Sequence, residues 1–326
     1  MNNNIINQQS ATLEQPRVLE VKNLCKTFEM GRGFKRSQVH ALRDVSFDLH
    51  SGRALALVGE SGSGKSTVAR LIMKMYEATS GEISYAGQSV LGEHSSTEAL
   101  AYRRAVQMVF QDPFGSLNPA HRIFHHIARP LLRHGHISDK SELKDKVFSI
   151  LSQVELDPQI NAYKFPHQLS GGQRQRVALA RTLAVAAKVV LADEPTSMLD
   201  VSIRIDVLNL LKRMKDEQGI AFLYITHDIA TARYFAEDIA VLYQGQIVEW
   251  GASAQVIDNP QHFYTKLLLS AVPDANVRFD EISPEQDFYL HSAAQIRQIS
   301  GQSCSEIKQI AAQHFIREHD FSALNQ

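Results

Sequence analysis

The sequence predicts an α/β fold: a mainly parallel sheet, preceded by an N-terminal antiparallel β subdomain and interrupted by an inserted α-helical subdomain. Three observations carry that expectation. The apolar runs Ala54 to Val58, Val189 to Ala192 and Ala221 to Ile225 have the composition of strands buried on both faces, and each stops at glycine or polar residues. Stretches with helical spacing separate them, the order of a parallel sheet whose ligands gather at the C-terminal ends of its strands. Ahead of these runs, VLEVKNLCKTF and HALRDVSFDL alternate apolar and polar residues as half-buried antiparallel strands do.

Taken in order, residues 1–16 are polar, with neither the basic nor the apolar segment of a secretory signal, and read as a disordered leader. The alternating segments occupy Arg17 to Leu49, joined by the basic loop MGRGFKRSQV, and Ser51-Gly52 marks a turn. Glycine-rich Gly59 to Thr67 follows the first buried run, and Val68 to Met75 reads as a helix. Pro113, Pro119, Pro130 and the histidines from His121 to His136 then break the pattern before a mostly helical stretch. Residues 112–187 are therefore expected to form the helical insert, ending in a helix from Arg174 to Ala187. IAVLYQGQIVEWG reads as a hairpin turning at Gly245, and the main body runs over residues 17–273. Beyond it, Ser292 to Gln295 and Ser303 to Glu306 have the pattern of capping boxes, so residues 274–326 are expected to be a helical tail.

With 326 residues, 44% hydrophobic and 21% charged, and a formal net charge of −1, the chain has an ordinary globular composition and no overall basic field for nucleic acid or anionic lipid. Lys35, Arg36, Arg103 and Arg104 read as solvated loop charges, so no nucleic-acid partner is expected. Cys25 and Cys304 form no C-x-x-C pair, which points to a reducing compartment without a disulfide framework. No apolar run approaches the ~18 to 20 residues needed to cross a bilayer.

Gly59 to Thr67, GESGSGKST, fits G-x-x-x-x-G-K-[ST] between a buried strand and a helix. Gly62 and Gly64 let backbone N–H groups turn inward, and the helix N-terminus adds partial positive charge. Lys65 is then a point charge for β- and γ-phosphates and the Ser66 hydroxyl a magnesium ligand. Asp193, at the end of an apolar strand, is placed near that magnesium, while Glu194 can orient or deprotonate a water. A second glycine-rich stretch, LSGGQRQRVALART from Leu169 to Thr182, sets Ser170, Gly171, Gly172 and Gln173 before a helical pattern and also looks built to hold an anion.

Together these residues resemble the ATP-binding subunit of ATP-binding-cassette (ABC) transporters, over about Val18 to Pro273. The resemblance implies a P-loop NTPase core in which Gly59, Glu60, Ser61, Gly62, Ser63, Gly64, Lys65, Ser66 and Thr67 form the Walker A loop for ATP, and Val189 to Glu194 the Walker B strand. It makes Phe28 an aromatic that stacks on adenine, Gln111 in VFQDP the Q-loop residue that senses Mg2+ and γ-phosphate, and His227 in ITHD the switch histidine. Leu169 to Gln173 match the family's signature, which implies that Ser170 to Gln173 meet the ATP held by a partner's Walker A. Ser197 to Asp200 resemble the D-loop, with Met198 where alanine is more usual.

FQDPFGSLNP, from Phe110, and NPQHFYTKLLLSAVP, from Asn259, are similar to the oligopeptide, dipeptide and nickel import subfamily, with Phe263 in place of a commoner proline. That implies an ATPase pairing with a second ABC subunit, identical or related, on two membrane permease subunits served by an external solute-binding protein. Its place is the cytoplasmic face of the membrane, as a peripheral subunit, and peptide is the expected solute. Nickel or another small solute, and a soluble ABC ATPase acting on nucleic acid or in translation, are the alternatives. Some subfamily members carry a cysteine-rich iron–sulfur segment near the C-terminus; this chain has Cys304 there and no other cysteine, so no cluster is expected.

Overall fold

The computed structural model describes residues 15–31, 37–134, 137, 139–271 and 284–325. Most of the expected leader, Lys35, Arg36 and His136 lie outside these residues. The strands are β1 (Arg17–Met30), β2 (Ser37–His50), β3 (Ala54–Val58), β4 (Ser80–Tyr85), β5 (Gln88–Ser89), β6 (Val106–Val109), β7 (Val189–Asp193), β8 (Ala221–Thr226), β9 (Asp238–Tyr243), β10 (Gln246–Ala252), β11 (Ile307–Ala311) and β12 (His314–Arg317). They form two sheets. The antiparallel one has order β2-β1-β4-β5, and the larger one β11-β12-β10-β9-β3-β8-β7-β6.

Pairing in the larger sheet is parallel from β6 through β7, β8 and β3 to β9, then antiparallel to β10, β12 and β11. The fold class expected from the apolar runs is therefore the one observed. Those runs alternate their allegiance, since side chains of successive strand residues point to opposite faces. Val189 and Leu191 pack with Leu19, Val21 and the helix Lys65–Ile72, whereas Val190 and Ala192 pack with the helices on the other face. Burial on both faces is why these strands carry no polar residue until they end.

Between β6 and β7 the chain forms the helices Pro113–Ser116, Ile123–Arg133, Leu143–Gln153, Pro158–Asn161 and Gly171–Ala184. The last begins three residues before the periodicity places it, because Ser170 caps it ahead of its glycines, and Ala186, in the left-handed region at φ 53°, ends it. Arg103 and Arg104 are exposed on the helix Ser96–Ala105 rather than in a loop. The β9–β10 hairpin turns at Gln244-Gly245, both at positive φ, the geometry of a type I′ turn.

The tail is not wholly helical. Ser292 does precede a helix, Ala293–Ser300, though its side chain makes no capping hydrogen bond. Ser303 instead leads into the β11–β12 hairpin, and β12 pairs with β10, extending the main sheet. Trp250 stacks on Phe315, opposite it in that pairing, at 5.5 Å between ring centres. Polar residues do much of the docking: Glu249 and His314, both 0% exposed, meet at 2.6 Å, and the other Glu249 oxygen accepts the His262 N–H at 3.1 Å. Arg317, also buried, donates to the Ile247 carbonyl at 2.9 Å and to the Asp44 carbonyl at 2.8 Å. A strand whose buried residues are His314 and Arg317, on opposite faces, lacks the apolar alternation by which strands are read.

His262 caps the helix Phe263–Ser270 with Nδ1, which accepts the Tyr264 N–H at 3.1 Å, while Nε2 donates to His319 Nδ1 at 3.0 Å. Both nitrogens are thus committed to the neutral ring. Burial first, and His319 second, lower the His262 pKa from 6.5 to about 3. The unfolded chain takes up this proton near pH 6.5 and the fold does not, so the stability is full above pH 6.5 and is lost as pH falls towards 3. This group should cost the fold about 2 kcal/mol between pH 7 and pH 5. His262→Asn, which keeps a capping acceptor, should flatten that slope in urea unfolding compared at the two pH values.

Candidate functional site

β3 ends at Val58, and Gly59 to Gly64 turns the chain back into the helix Lys65–Ile72. A Cβ on Gly59 would lie 2.2 Å from the Leu242 carbonyl oxygen, so only glycine lets the loop rest against β9. A Cβ on Gly62, at φ 83°, would meet nothing within 4 Å, so that side of the loop faces open space. Gly64 caps the helix without a side chain, so the first-turn N–H groups, which have no intrahelical partner, are left to meet an anion. Ser61 is exposed on the loop and Thr67 half-buried on the helix.

Lys65 lies inside the cradle, 6% exposed, with Nζ donating to the Gly59 carbonyl at 2.7 Å, the Glu60 carbonyl at 2.8 Å and Ser63 Oγ at 3.4 Å. Burial lowers its pKa, opposed by the negative charges of Glu194, Asp193 and Glu60. Ser66 Oγ donates to Asp193 Oδ1 at 3.2 Å, which brings the helix and the end of β7 together. Burial raises the Asp193 pKa against that hydrogen bond.

The chain turns sharply after Asp193. Glu194 takes the left-handed region at φ 46°, and its N–H donates to the Ile225 carbonyl at 2.8 Å. Its carboxylate is clasped from two sides: Gln111 Nε2 donates to Oε2 at 2.8 Å, and His227 Nδ1 meets Oε1 at 3.0 Å. Gln111 follows β6, Glu194 follows β7 and His227 follows β8, adjacent parallel strands, so all three stand at the C-terminal edge of the sheet. Two hydrogen-bonded sets, Ser66 with Asp193 and Gln111 with Glu194 and His227, are thus brought together by the adjacency of Asp193 and Glu194 in the chain.

Phe28 stands apart from this group on β1, its ring edge-on to Tyr76 at 5.3 Å between centres, with the Lys26 ammonium 4.9 Å from its own centre. Ser170 Oγ accepts the Gln173 N–H at 3.3 Å and Gln173 Oε1 accepts the Ser170 N–H at 3.1 Å, a complete capping box. A Cβ on Gly172 would lie 2.5 Å from Ile203 Cγ2, so the helix N-terminus sits close against the helix Val201–Gln218. Gly171 and Gln175 line a cavity of about 30 Å³ with Gln111, Pro113, Met198 and Leu199. The Ser170 and Gln173 side chains are turned to each other's backbone N–H groups, and the Ser170 carbonyl accepts the Arg174 N–H at 3.0 Å.

Residues that the sequence does not tie to the cradle also hold it. The Gly245 N–H donates to the Ser63 carbonyl at 2.9 Å, bracing the loop from behind, and the Glu60 N–H donates to the Tyr264 hydroxyl at 3.3 Å. Arg297, from the tail, donates through Nη2 to Glu60 Oε1 at 2.7 Å. Gly245 was readable as a turn, but its place behind Ser63, and the positions of Tyr264 and Arg297, depend on tertiary structure alone.

Comparison with known proteins agrees with this geometry. The sequence pattern of the ABC transporter family matches residues 42–197. The chain is 39% identical over 313 residues to the oligopeptide transport ATP-binding protein OppF of Bacillus subtilis, covering 95% of this chain and 99% of that one. It is 46% identical over 258 residues to the di/tripeptide transport ATP-binding protein DppF of Pseudomonas aeruginosa, covering 78% and 79%. It also matches the glutathione import ATP-binding protein GsiA of Salmonella paratyphi A, at 42% identity over 82% of this chain and 43% of that one. Among solved structures, a dimeric ATP-binding cassette in a post-hydrolysis state bound to ADP and phosphate superposes with a TM-score of 0.64 at 32% identity, over 72% of this chain and 98% of that one. The chain therefore belongs to the ABC transporter family as one of its ATP-binding, ATP-hydrolysing proteins.

Proposed function

We propose that the chain powers the import of peptides through a membrane ABC transporter, working as one of a pair of ATP-binding subunits on two permease subunits, with an external solute-binding protein delivering the solute. The observation that carries the catalytic part is the Glu194 carboxylate, held between Gln111 and His227 one residue beyond the Ser66–Asp193 contact. The names of the relatives support the solute, since oligopeptides, di- and tripeptides and glutathione are all small peptides.

In this reading the N–H groups of the Gly59 to Thr67 loop and the helix N-terminus bind the phosphates, and Lys65 stays fixed as the countercharge inside the cradle. The open side of Gly62 fits a phosphate chain, and the hydroxyl and carboxylate brought together by Ser66 and Asp193 fit a hard cation. Mg2+ held there, with Gln111 as a further contact, would neutralise charge on the triphosphate. Glu194 takes a proton from the attacking water, and His227 positions that carboxylate and the water. Phe28 stacks on adenine with Tyr76 steadying its ring edge-on. Ser170, Gly171, Gly172 and Gln173 serve ATP held by the partner subunit, with the capped helix N-terminus turned to its γ-phosphate. The chain then works at the cytoplasmic face of the membrane as a peripheral subunit, without a nucleic-acid partner, and no described helix is long and apolar enough to cross a membrane.

Glu194→Gln should lower ATP hydrolysis by about a hundredfold or more while leaving ATP binding in place, since the amide keeps the size and shape of the side chain but cannot accept the proton. Unchanged turnover in that variant would remove Glu194 from its role. Gly171→Asp should fold, because a Cβ there meets Leu199 only at an ordinary 3.5 Å, and should bind ATP as the parent does. It should nevertheless lose the hydrolysis that depends on pairing of two subunits. Nucleotide affinity lost in the isolated subunit as severely as in Lys65→Ala would contradict the in-trans assignment. Deleting the gene should abolish uptake of radiolabelled di- to pentapeptides and leave nickel uptake intact; the reverse pattern would overturn the solute.

A further inference from the structure

The tail reaches the phosphate loop. Arg297, on the helix Ala293–Ser300, sends two donors to one Glu60 oxygen, Nη2 to Oε1 at 2.7 Å and Nε at 3.3 Å. Glu60 is the second residue of the cradle, and its backbone is already held on both sides, the N–H by Tyr264 and the carbonyl by Lys65. The tail segment beyond Arg297 keeps the same company. The Gly301 carbonyl accepts from Arg43 Nη1 at 3.1 Å, the Gln302 carbonyl accepts from Gln246 Nε2 at 2.8 Å, and the Cys304 N–H donates to Gln246 Oε1 at 3.1 Å. These contacts seat the tail on the β9–β10 turn, whose Gly245 braces Ser63. Tail, turn and cradle are one continuous set of contacts.

The ion pair is exposed, with 44% of the Arg297 side chain and 38% of the Glu60 side chain accessible. A pair so placed adds little to fold stability. Its effect is on the local charge instead. Glu60 is a carboxylate on a loop that binds a polyanion, and left alone it would repel the phosphates that Lys65 attracts.

We propose that Arg297 is a positioning residue for the nucleotide: paired with Glu60, it ties that carboxylate to the tail and cancels its charge beside the cradle, so ATP affinity depends on a residue outside the cassette motifs. The proposal rests on the reading of Gly59 to Thr67 as the phosphate cradle. It makes opposite predictions for removing one partner and removing both, because the charge conflict exists only when Glu60 remains without Arg297.

The test uses the full chain and the non-hydrolysable analogue adenylyl imidodiphosphate with magnesium, bound in a calorimeter. Arg297→Gln should weaken binding by about threefold to tenfold, as loss of one partly screened charge does. That loss should shrink as salt is raised from about 50 mM to about 500 mM. The double variant Glu60→Gln/Arg297→Gln should bind more tightly than Arg297→Gln by at least about twofold, and the nucleotide-free melting temperature of Arg297→Gln should stay within about 2 °C of the parent's. Parental affinity in Arg297→Gln, a double variant as weak as the single one, or a collapse of the melting temperature would each overturn the proposal. Lys65→Ala is the control for the reading beneath it: strong loss of binding there, with no effect at Arg297, overturns the tail's role alone, whereas parental binding by Lys65→Ala overturns the cradle itself.

Discussion

Lys65 carries an ammonium at a position only 6% exposed, and an ion taken that far from water must be matched by acceptors or it is expelled or neutralised. The Gly59 and Glu60 carbonyls supply the match, and they can do so only because the loop curls back over the side chain. That curl in turn requires Gly59 to lie against the Leu242 carbonyl and Ser63 to be met from behind by Gly245. The order of the central strands follows suit: β9 lies next to β3, so the hairpin that follows β9 is where the cradle needs its support. A single buried cation thus links the local loop sequence to the topology of the sheet.

Much of this was legible in the residues. The buried strands declared themselves because both faces had to be apolar, and GESGSGKST and LSGGQ are local devices whose glycines and caps act within a few residues. The meeting of Glu194 and His227 was foreshadowed by each lying just beyond an apolar run, since parallel strands bring such ends to one edge, whereas Gln111 was marked only by the family resemblance. What the tail does was not legible. Ser303 has the pattern of a helix cap yet opens a hairpin, because the strand it leads to is anchored by Glu249, His314 and Arg317, residues ordinarily assigned to a solvated face. Contacts such as Arg297 with Glu60 span more than two hundred residues and leave no local trace.

The two glycine-rich stretches differ in how they are finished, and the difference bears on their use. The first ends in a helix capped by Gly64, backed by β9 and the β9–β10 turn, with its lysine folded inside. The second carries its own capping box and packs through Gly172 against the helix Val201–Gln218, leaving Ser170 exposed. One is a pocket closed from behind; the other is a rigid tip. A tip of that kind suits contact with a separate body better than enclosure of a ligand within its own chain.

Docking of β12 on β10 has one more consequence. Without it, β10 would end the sheet, with the backbone N–H and C=O groups of Glu249 to Gly251 that now meet β12 left unpaired. Such an edge is a template on which a second copy can add strands. The hairpin replaces it with β11, a shorter strand exposed along most of its length, where Lys308 pairs with Glu318. Charge at that rim discourages further strands from joining. The tail therefore covers part of an edge on which strands could add, and ends the sheet instead on a short strand that carries charge.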